Sequence, residues 1–188
     1  MTTLSTSPDL AGLQGDYVLD ADHTRIGFVA RHAMVTKVRG AFTAFEGRAA
    51  IAGDDLSGSR VALTIQAASI DTRNAQRDEH LRSNDFLAMD QFPTITFVST
   101  EVRRSGPTTV AITGDLTIKD VTRSVTVPFE FGGAATDPDG DFRIGFEGSV
   151  VINRKDFGIT WNAALETGGV LVGDKIVLEL DVAAVRTA

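Results

Sequence analysis

The chain has 188 residues, 43% of them hydrophobic, and its 18 basic and 25 acidic residues leave a formal net charge of −7. That length suits one domain, and that apolar content can bury a core, which excludes a disordered chain. The acidic balance argues against the basic face of a nucleic-acid-binding domain and, taken over the whole chain, disfavours an anionic membrane surface. The absence of cysteine excludes disulfides and thiolate metal sites.

Met1 to Gly15 is rich in Ser and Thr, contains Pro8, and lacks both a basic start and a long apolar run. It is expected to be a loose N-terminal arm, residues 1–15, and not a secretory signal. No later segment approaches the roughly 18 consecutive apolar residues of a membrane helix, so a cytoplasmic protein with no integral membrane segment is expected. Residues 16–188 then read as one domain.

Strand-like sequence begins at Tyr17. A turn at Asp22-His23-Thr24 leads to Ile26, Phe28, Ala30 and His32 on one face of the next strand. Phe42, Phe45 and Ile51 follow, then a loop at Gly53–Gly58, then Val61, Leu63 and Ile65 in alternation. Between Ile70 and Pro93 the strand text stops. Asn74 can cap a helix, Asp78 and Glu79 suit its first turn, and Leu81 is the one large apolar residue in the polar run. A short, lightly anchored helix is therefore expected, closed off by Pro93, which lacks an N–H and pushes Phe92 toward extended geometry.

Strand text resumes at Thr94, with Ile95 and Phe97 alternating. Val110, Ile112, Gly114, Leu116 and Ile118 follow, and Lys119-Asp120 reads as a hairpin tip. On the returning strand Pro128 marks an edge, a bulge or a kink, because it removes a ladder hydrogen bond. Phe142, Ile144, Phe146, Gly148, Val150 and Ile152 form the longest alternation, residues 153–169 are irregular, and Ile176 to Ala184 alternate once more. About eight or more strands joined by short turns predict an all-β antiparallel sandwich or barrel with one short helical insert.

His23, His32 and His80 show no metal-ligand spacing. His32 ends an apolar alternation, which puts it either at a cavity mouth against a ligand head group or at a half-exposed strand end. Trp161 stands in irregular sequence, where it either closes or lines a mouth or simply packs. Arg77 and Asp78 read as solvated helix charges, and Arg154 and Asp156 as residues that pin the Phe157-Gly158 turn. No Gly-x-Ser-x-Gly elbow and no phosphate loop is present.

The insert carries a motif: Arg77-Asp78-x-His80-Leu81, then Asp85-Phe86, then Phe92-Pro93-x-Ile95-x-Phe97-x-Ser99. This run resembles the YceI-like family. Ile26-x-Phe28-x-Ala30-Arg31-His32, Val38-Arg39-Gly40-x-Phe42, Gly114-x-Leu116-Thr117-Ile118-x-x-Val121-Thr122 and Arg154-x-Asp156-Phe157-Gly158 extend the resemblance from about Tyr17 to the last strand. It implies a lipocalin-like barrel of about eight strands whose apolar interior holds a polyisoprenoid or another long lipid, and a homodimer. No cofactor, no metal and no catalytic residue are expected. Phe28, Ala30, Phe42, Phe97, Ile118 and Phe146 are the expected lining, with His32 and Trp161 toward the mouth. Small inward residues such as Ala30, Ala44, Gly114 and Gly148 can leave a tunnel or admit bulky neighbours from across the barrel. Two other functions compete with the carrier: an enzyme acting on such a lipid through His32, His80 and Asp78, and a stress-response structural protein whose barrel is filled.

Overall fold

The computed structural model describes residues 10–53 and 55–188. Met1–Asp9, most of the expected arm, lies outside the described residues. The arm's remainder is not loose: Leu10 and Leu13 are buried, and the Tyr17 hydroxyl donates to the Leu13 carbonyl at 2.7 Å.

The period-2 alternation produces eleven strands: β1 (Gly15–Leu19), β2 (Arg25–His32), β3 (Thr36–Phe42), β4 (Phe45–Ile51), β5 (Arg60–Gln66), β6 (Ile70–Asp71), β7 (Thr94–Arg104), β8 (Thr109–Ile118), β9 (Val121–Thr136), β10 (Phe142–Asn153) and β11 (Lys175–Arg186). The one α-helix, α1, is Ala75–Arg82. Three pairs of these strands are single barrel strands broken in the middle. A 3₁₀ turn at Ala21–His23 separates β1 from β2, Thr43-Ala44 separates β3 from β4, and a 3₁₀ turn at Ala67–Ser69 separates β5 from β6. β1 pairs with β4 while β2 pairs with β3, and β11 pairs with both β1 and β2. The ring β1-β4-β5-β7-β8-β9-β10-β11 closes through the β1–β11 pairing. The result is a closed antiparallel barrel of eight strands with one short helix, the barrel the family resemblance implies where alternation alone left a sandwich open.

Lys119-Asp120 is the expected tip between β8 and β9, with Lys119 at φ 58°. Pro128 marks an edge: β9 pairs with β8 along Val121–Glu130 but with β10 only from Phe129 onward. Across the seam left below it, the 3₁₀ turn Arg154–Phe157 is held by Arg123 Nε, which donates to the Asp156 carbonyl at 3.1 Å.

The core has two parts. One, at the α1 end, contains Ile65, Ile70, Phe86, Leu87, Ile118 and Phe157. The other contains Leu10, Leu13, Tyr17, Leu56, Val110 and Phe131 and closes the opposite end. Leu56 reaches that cluster from a backbone at φ 61°, a conformation uncommon for a branched side chain, which the burial of its side chain offsets.

Candidate functional site

Alternation decides which side chains face inward, and the inward set leaves space. A cavity of about 330 Å³ runs through the barrel and touches both core clusters, from Leu13 and Tyr17 at one end to Leu81, Phe86 and Ile159 at the other. Phe28, Ala30, Phe42, Phe97, Ile118 and Phe146 all line it, as the sequence predicts. The filled-barrel alternative is thereby corrected: the interior is open. Ala44, expected among the small inward residues, is instead exposed in the break between β3 and β4.

Three inward glycines, Gly114 and Gly148 of the expected set and Gly40, have a shared use. A Cβ on Gly40 would overlap the Phe28 ring, one on Gly114 would stand 2.5 Å from Phe97 Cζ, and one on Gly148 would stand 2.7 Å from Phe129 Cδ1. Three aromatic rings therefore lie flat over three glycines, against the wall and out of the lumen. Phe129 is a lining residue that sequence reasoning missed, although its alternation with Val125 and Val127 carried the signal.

His32 and Trp161 do not line the cavity. His32 is exposed at the far end of β2, where it bridges to Val172. Trp161 packs edge-on against His80, with ring centroids 4.7 Å apart, and lies 5.4 Å from Phe86; His80 and Phe86 are themselves 5.0 Å apart. These three rings join the insert to the 159–173 segment over the α1 end of the barrel. His80 Nε2 lies 2.8 Å from Asp85 Oδ2.

The insert is tied down by charge, not lightly by Leu81. Asn74 caps α1 as expected, its side chain accepting the Arg77 N–H at 2.9 Å. Asp78 is not solvated but buried, and it accepts both the N–H (2.9 Å) and the hydroxyl (2.6 Å) of Thr72. Arg77 donates to the Thr72 hydroxyl and carbonyl, and Arg82 to the carbonyls of Ala68 and Ile70. Hydrogen bonds to ionised groups are roughly twice as strong as neutral ones, which lets so polar a helix stay in place. His80 and Asp78 thus have separate partners, Asp85 and Thr72, and among the described residues no hydrogen bond joins His32, His80 and Asp78. Among the described residues no group of three or more His, Cys, Asp or Glu could hold a metal ion.

Arg154 brackets the Phe157-Gly158 turn, its carbonyl accepting the Gly158 N–H and the Ile159 N–H (3.2 Å). Its buried guanidinium closes the turn by donating to the Ile159 carbonyl (2.8 Å), and it reaches further to the carbonyls of Gly173 (2.9 Å), Trp161 (2.9 Å) and Val172 (3.3 Å). Burial lowers its pKa from the usual arginine value, against the opposing pull of Asp174, whose Oδ1 stands 3.7 Å away. Arg154 lines the cavity, yet its donors are occupied by the backbone it organises. Asn162 completes that segment by accepting the Val172 N–H and donating to the Val172 carbonyl.

A YceI-like domain is matched over residues 17–184. UPF0312 protein SAS2572 of Staphylococcus aureus is 40% identical over 167 residues, covering 87% of this chain and 94% of that protein. The chain belongs to the YceI-like family. Among solved structures, the Campylobacter jejuni YCEI protein is 30% identical with a TM-score of 0.68, covering 84% of this chain and 90% of that one. Two more distant structures share the fold. Burkholderia cenocepacia BcnA is 22% identical with a TM-score of 0.77, over 88% of this chain and 98% of its own. A polyisoprenoid binding domain from Saccharophagus degradans is 14% identical with a TM-score of 0.70, over 91% of this chain and 98% of its own. No helix among the described residues is long and apolar enough to cross a membrane.

Proposed function

We propose that this YceI-like barrel binds and carries one elongated apolar molecule, a polyisoprenoid or a lipid of similar shape. The observation that carries this reading is the cavity, about 330 Å³ in volume and walled mainly by aliphatic and aromatic side chains, with Arg48, Ser59, Arg60 and Arg154 the polar members of its lining. That volume falls within the range of about 300–1,000 Å³ typical of ligand pockets. Among its buried lining residues the charged one, Arg154, is occupied by backbone carbonyls, so the walls select for the absence of polar groups. Each methylene moved from water into such a lumen contributes about 0.8 kcal/mol, or about fourfold in affinity. Longer chains are therefore favoured until the closed Leu13 end is reached. The polyisoprenoid-binding character of the Saccharophagus degradans domain, which shares the fold, agrees with this occupant.

Native mass spectrometry of the purified protein followed by solvent extraction tests the reading. Recovery of an apolar lipid, or saturable uptake of a fluorescent isoprenoid with affinity rising along a chain-length series, is expected. A protein that neither retains nor takes up such a molecule overturns it.

The carrier is further proposed to act as a homodimer. Outward-facing Val98 and Val151 are exposed at 54% and 56%, and a partner would cover them. Sedimentation at micromolar concentration decides this, a monomer counting against it.

A further inference from the structure

The β2–β3 hairpin leaves the barrel. β11 pairs with β2 only up to Val29, and β6 pairs with β3 only at Ala41 and Phe42. Beyond those points the hairpin is attached laterally to the 169–173 segment, where the Met34 sulfur lies over Gly169. There Ala33 N–H donates to the Leu171 carbonyl at 2.7 Å and Gly173 N–H to the Arg31 carbonyl at 3.0 Å. The tip is the three-residue turn Ala33–Val35, in which Ala33 and Met34 sit at φ 50° and 63°. Positive φ favours Asn and Gly, so the tip holds residues that its backbone does not favour. Met34 is 62% exposed, Val35 77%, and Val170 on the adjoining segment 40%.

Charge around this apolar tip runs against that of the protein. Although the chain carries −7, Arg25, Arg31, Lys37 and Arg39 lie between Asp22 and Glu46 with no acidic residue among them. Arg31 and Lys37 are direct cross-strand partners on the hairpin, and Arg39 is paired with Val29 further along. Like charges directly opposite one another destabilise a sheet. Yet none of Arg31, Lys37 and Arg39 takes an acidic partner among the described residues. Glu166 is the one acidic residue on the neighbouring 162–173 segment. Arg31 Nη1 donates to the Val35 carbonyl at 3.2 Å, but stability does not explain a protruding cationic hairpin that has no acidic partner among the described residues and carries bulky apolar side chains at its end. An amphipathic anionic surface does: apolar side chains enter the headgroup boundary while basic ones neutralise headgroups.

We propose that the tip Met34-Val35, with Val170 beside it and Arg31, Lys37 and Arg39 behind it, docks this protein onto an anionic lipid bilayer. The docking deepens the carrier reading, because cavity-lining Ala30 and Val172 lie on the two segments that meet here, so that docking turns this end of the cavity toward the lipid. The binding event itself is independent of cargo and is measured without it. The hairpin itself carries none of the chain's acidic residues between Asp22 and Glu46, so its local charge is positive although the whole chain carries −7.

The absence of cysteine permits a direct test. Met34→Cys and Ser57→Cys, the latter on the loop at the opposite end, are each labelled with an environment-sensitive dye. Both are mixed with vesicles of phosphatidylcholine alone or with added phosphatidylglycerol. A blue shift at position 34 and not at 57, only with phosphatidylglycerol and reversed by salt, is expected. In flotation assays of otherwise wild-type protein, Lys37→Gln should weaken binding about fivefold, the share of one basic residue near an anionic surface. Met34→Ser with Val35→Ser should weaken it further while leaving uptake of an isoprenoid from detergent unchanged. The proposal is overturned if the wild type floats with neither vesicle, or if the double variant floats as well as the wild type. It is also overturned if the double variant loses self-association in sedimentation while vesicle binding persists. Loss of isoprenoid uptake with vesicle binding intact would remove the carrier reading and leave the docking standing.

Discussion

Phe28 and Gly40 face each other directly across β2 and β3, and the Phe28 ring occupies the space a side chain at position 40 would need: a Cβ there would overlap Cζ and stand 2.7 Å from Cε1. The third obstacle, Thr72 Cγ2 at 2.9 Å, is also a side-chain atom, so the clash is relieved by moving side chains and not backbone. Gly40→Ala should therefore push the Phe28 ring into the lumen. The expected cost is about 1–3 kcal/mol in stability, as for overpacking generally, together with a shorter or weaker-bound ligand. Phe28→Leu in the same chain should restore both. Chemical denaturation and a chain-length series for uptake measure the two effects, and a Gly40→Ala protein with unaltered uptake would show that the ring does not border the ligand path.

Phe146 lies on β10, two strands round the barrel from β2, with its ring 5.1 Å from that of Phe131. Phe146→Trp adds volume where the cavity has room. Uptake should fall severalfold while the denaturation midpoint moves little. A large loss of stability with normal uptake would mean that position 146 packs core and leaves the lumen unaffected.

How far these residues were legible in the sequence follows from where the barrel is regular. Alternation assigned Phe28, Phe42, Phe97, Ile118 and Phe146 to the inward face because each sits on a strand paired on both sides, where parity and inside coincide. His32 has the same parity as Phe28 and Ala30, but by His32 the hairpin has left the ring, and parity no longer points to an interior. The break at Ala21–His23 is legible as the turn at Asp22-His23-Thr24, whereas the one at Ala67–Ser69 leaves no periodic trace because it removes only a few residues from an alternation that then resumes. Trp161, His80 and Phe86 meet through contacts between segments about eighty residues apart, which no local pattern encodes. Asp78 read as a surface charge because its partner, Thr72, precedes the helix and is brought under it only by the fold.

Acid sensitivity should centre on one network between the 20–23 turn and the 137–141 loop. Arg143 donates to Asp20 through Nη1 and to Asp137 through Nε at 2.6 Å. For Asp20, burial pushes the carboxyl up, but the hydrogen bonds from His23, Arg143 and the Asp22 N–H outweigh it, and the pKa lies below the usual value. For Asp137, the Arg143 hydrogen bond leads, with the N–H groups of Asp141 and Asp139 behind it, and the pKa is again lowered. A carboxyl whose folded pKa is below its unfolded value of about 3.9 contributes stability that is present above that pH and lost as the pH falls through the folded value. Arg143→Leu should lower the melting temperature at neutral pH and flatten its dependence below about pH 4. Parallel acid slopes for wild type and variant would place the titrating groups elsewhere.

The insert is the remaining candidate for control of ligand exchange. Leu81, Phe86 and Leu87 line the α1 end of the cavity, so a ligand leaving there must displace them. Few apolar contacts hold α1, and segments so held open at low free-energy cost. The structure locates the restraint at Asp78, whose carboxylate satisfies the buried N–H and hydroxyl of Thr72. Asp78→Ala leaves those donors unpaired, at about 1–3 kcal/mol, whereas half-buried Leu81→Ala should cost about 2 kcal/mol through lost packing. If opening of the insert limits release, 2 kcal/mol taken from the closed state speeds release by up to about 30-fold. Asp78→Asn, which keeps one acceptor oxygen, should fall between wild type and Asp78→Ala. Stopped-flow release of a fluorescent isoprenoid, with amide exchange across Ala75–Arg82 as the structural readout, separates two outcomes. Faster amide exchange with faster release in the order wild type, Asp78→Asn, Asp78→Ala identifies α1 as the gate. Faster amide exchange with unchanged release assigns the helix to closing the core alone and directs the search for the exit to the seam between β9 and β10.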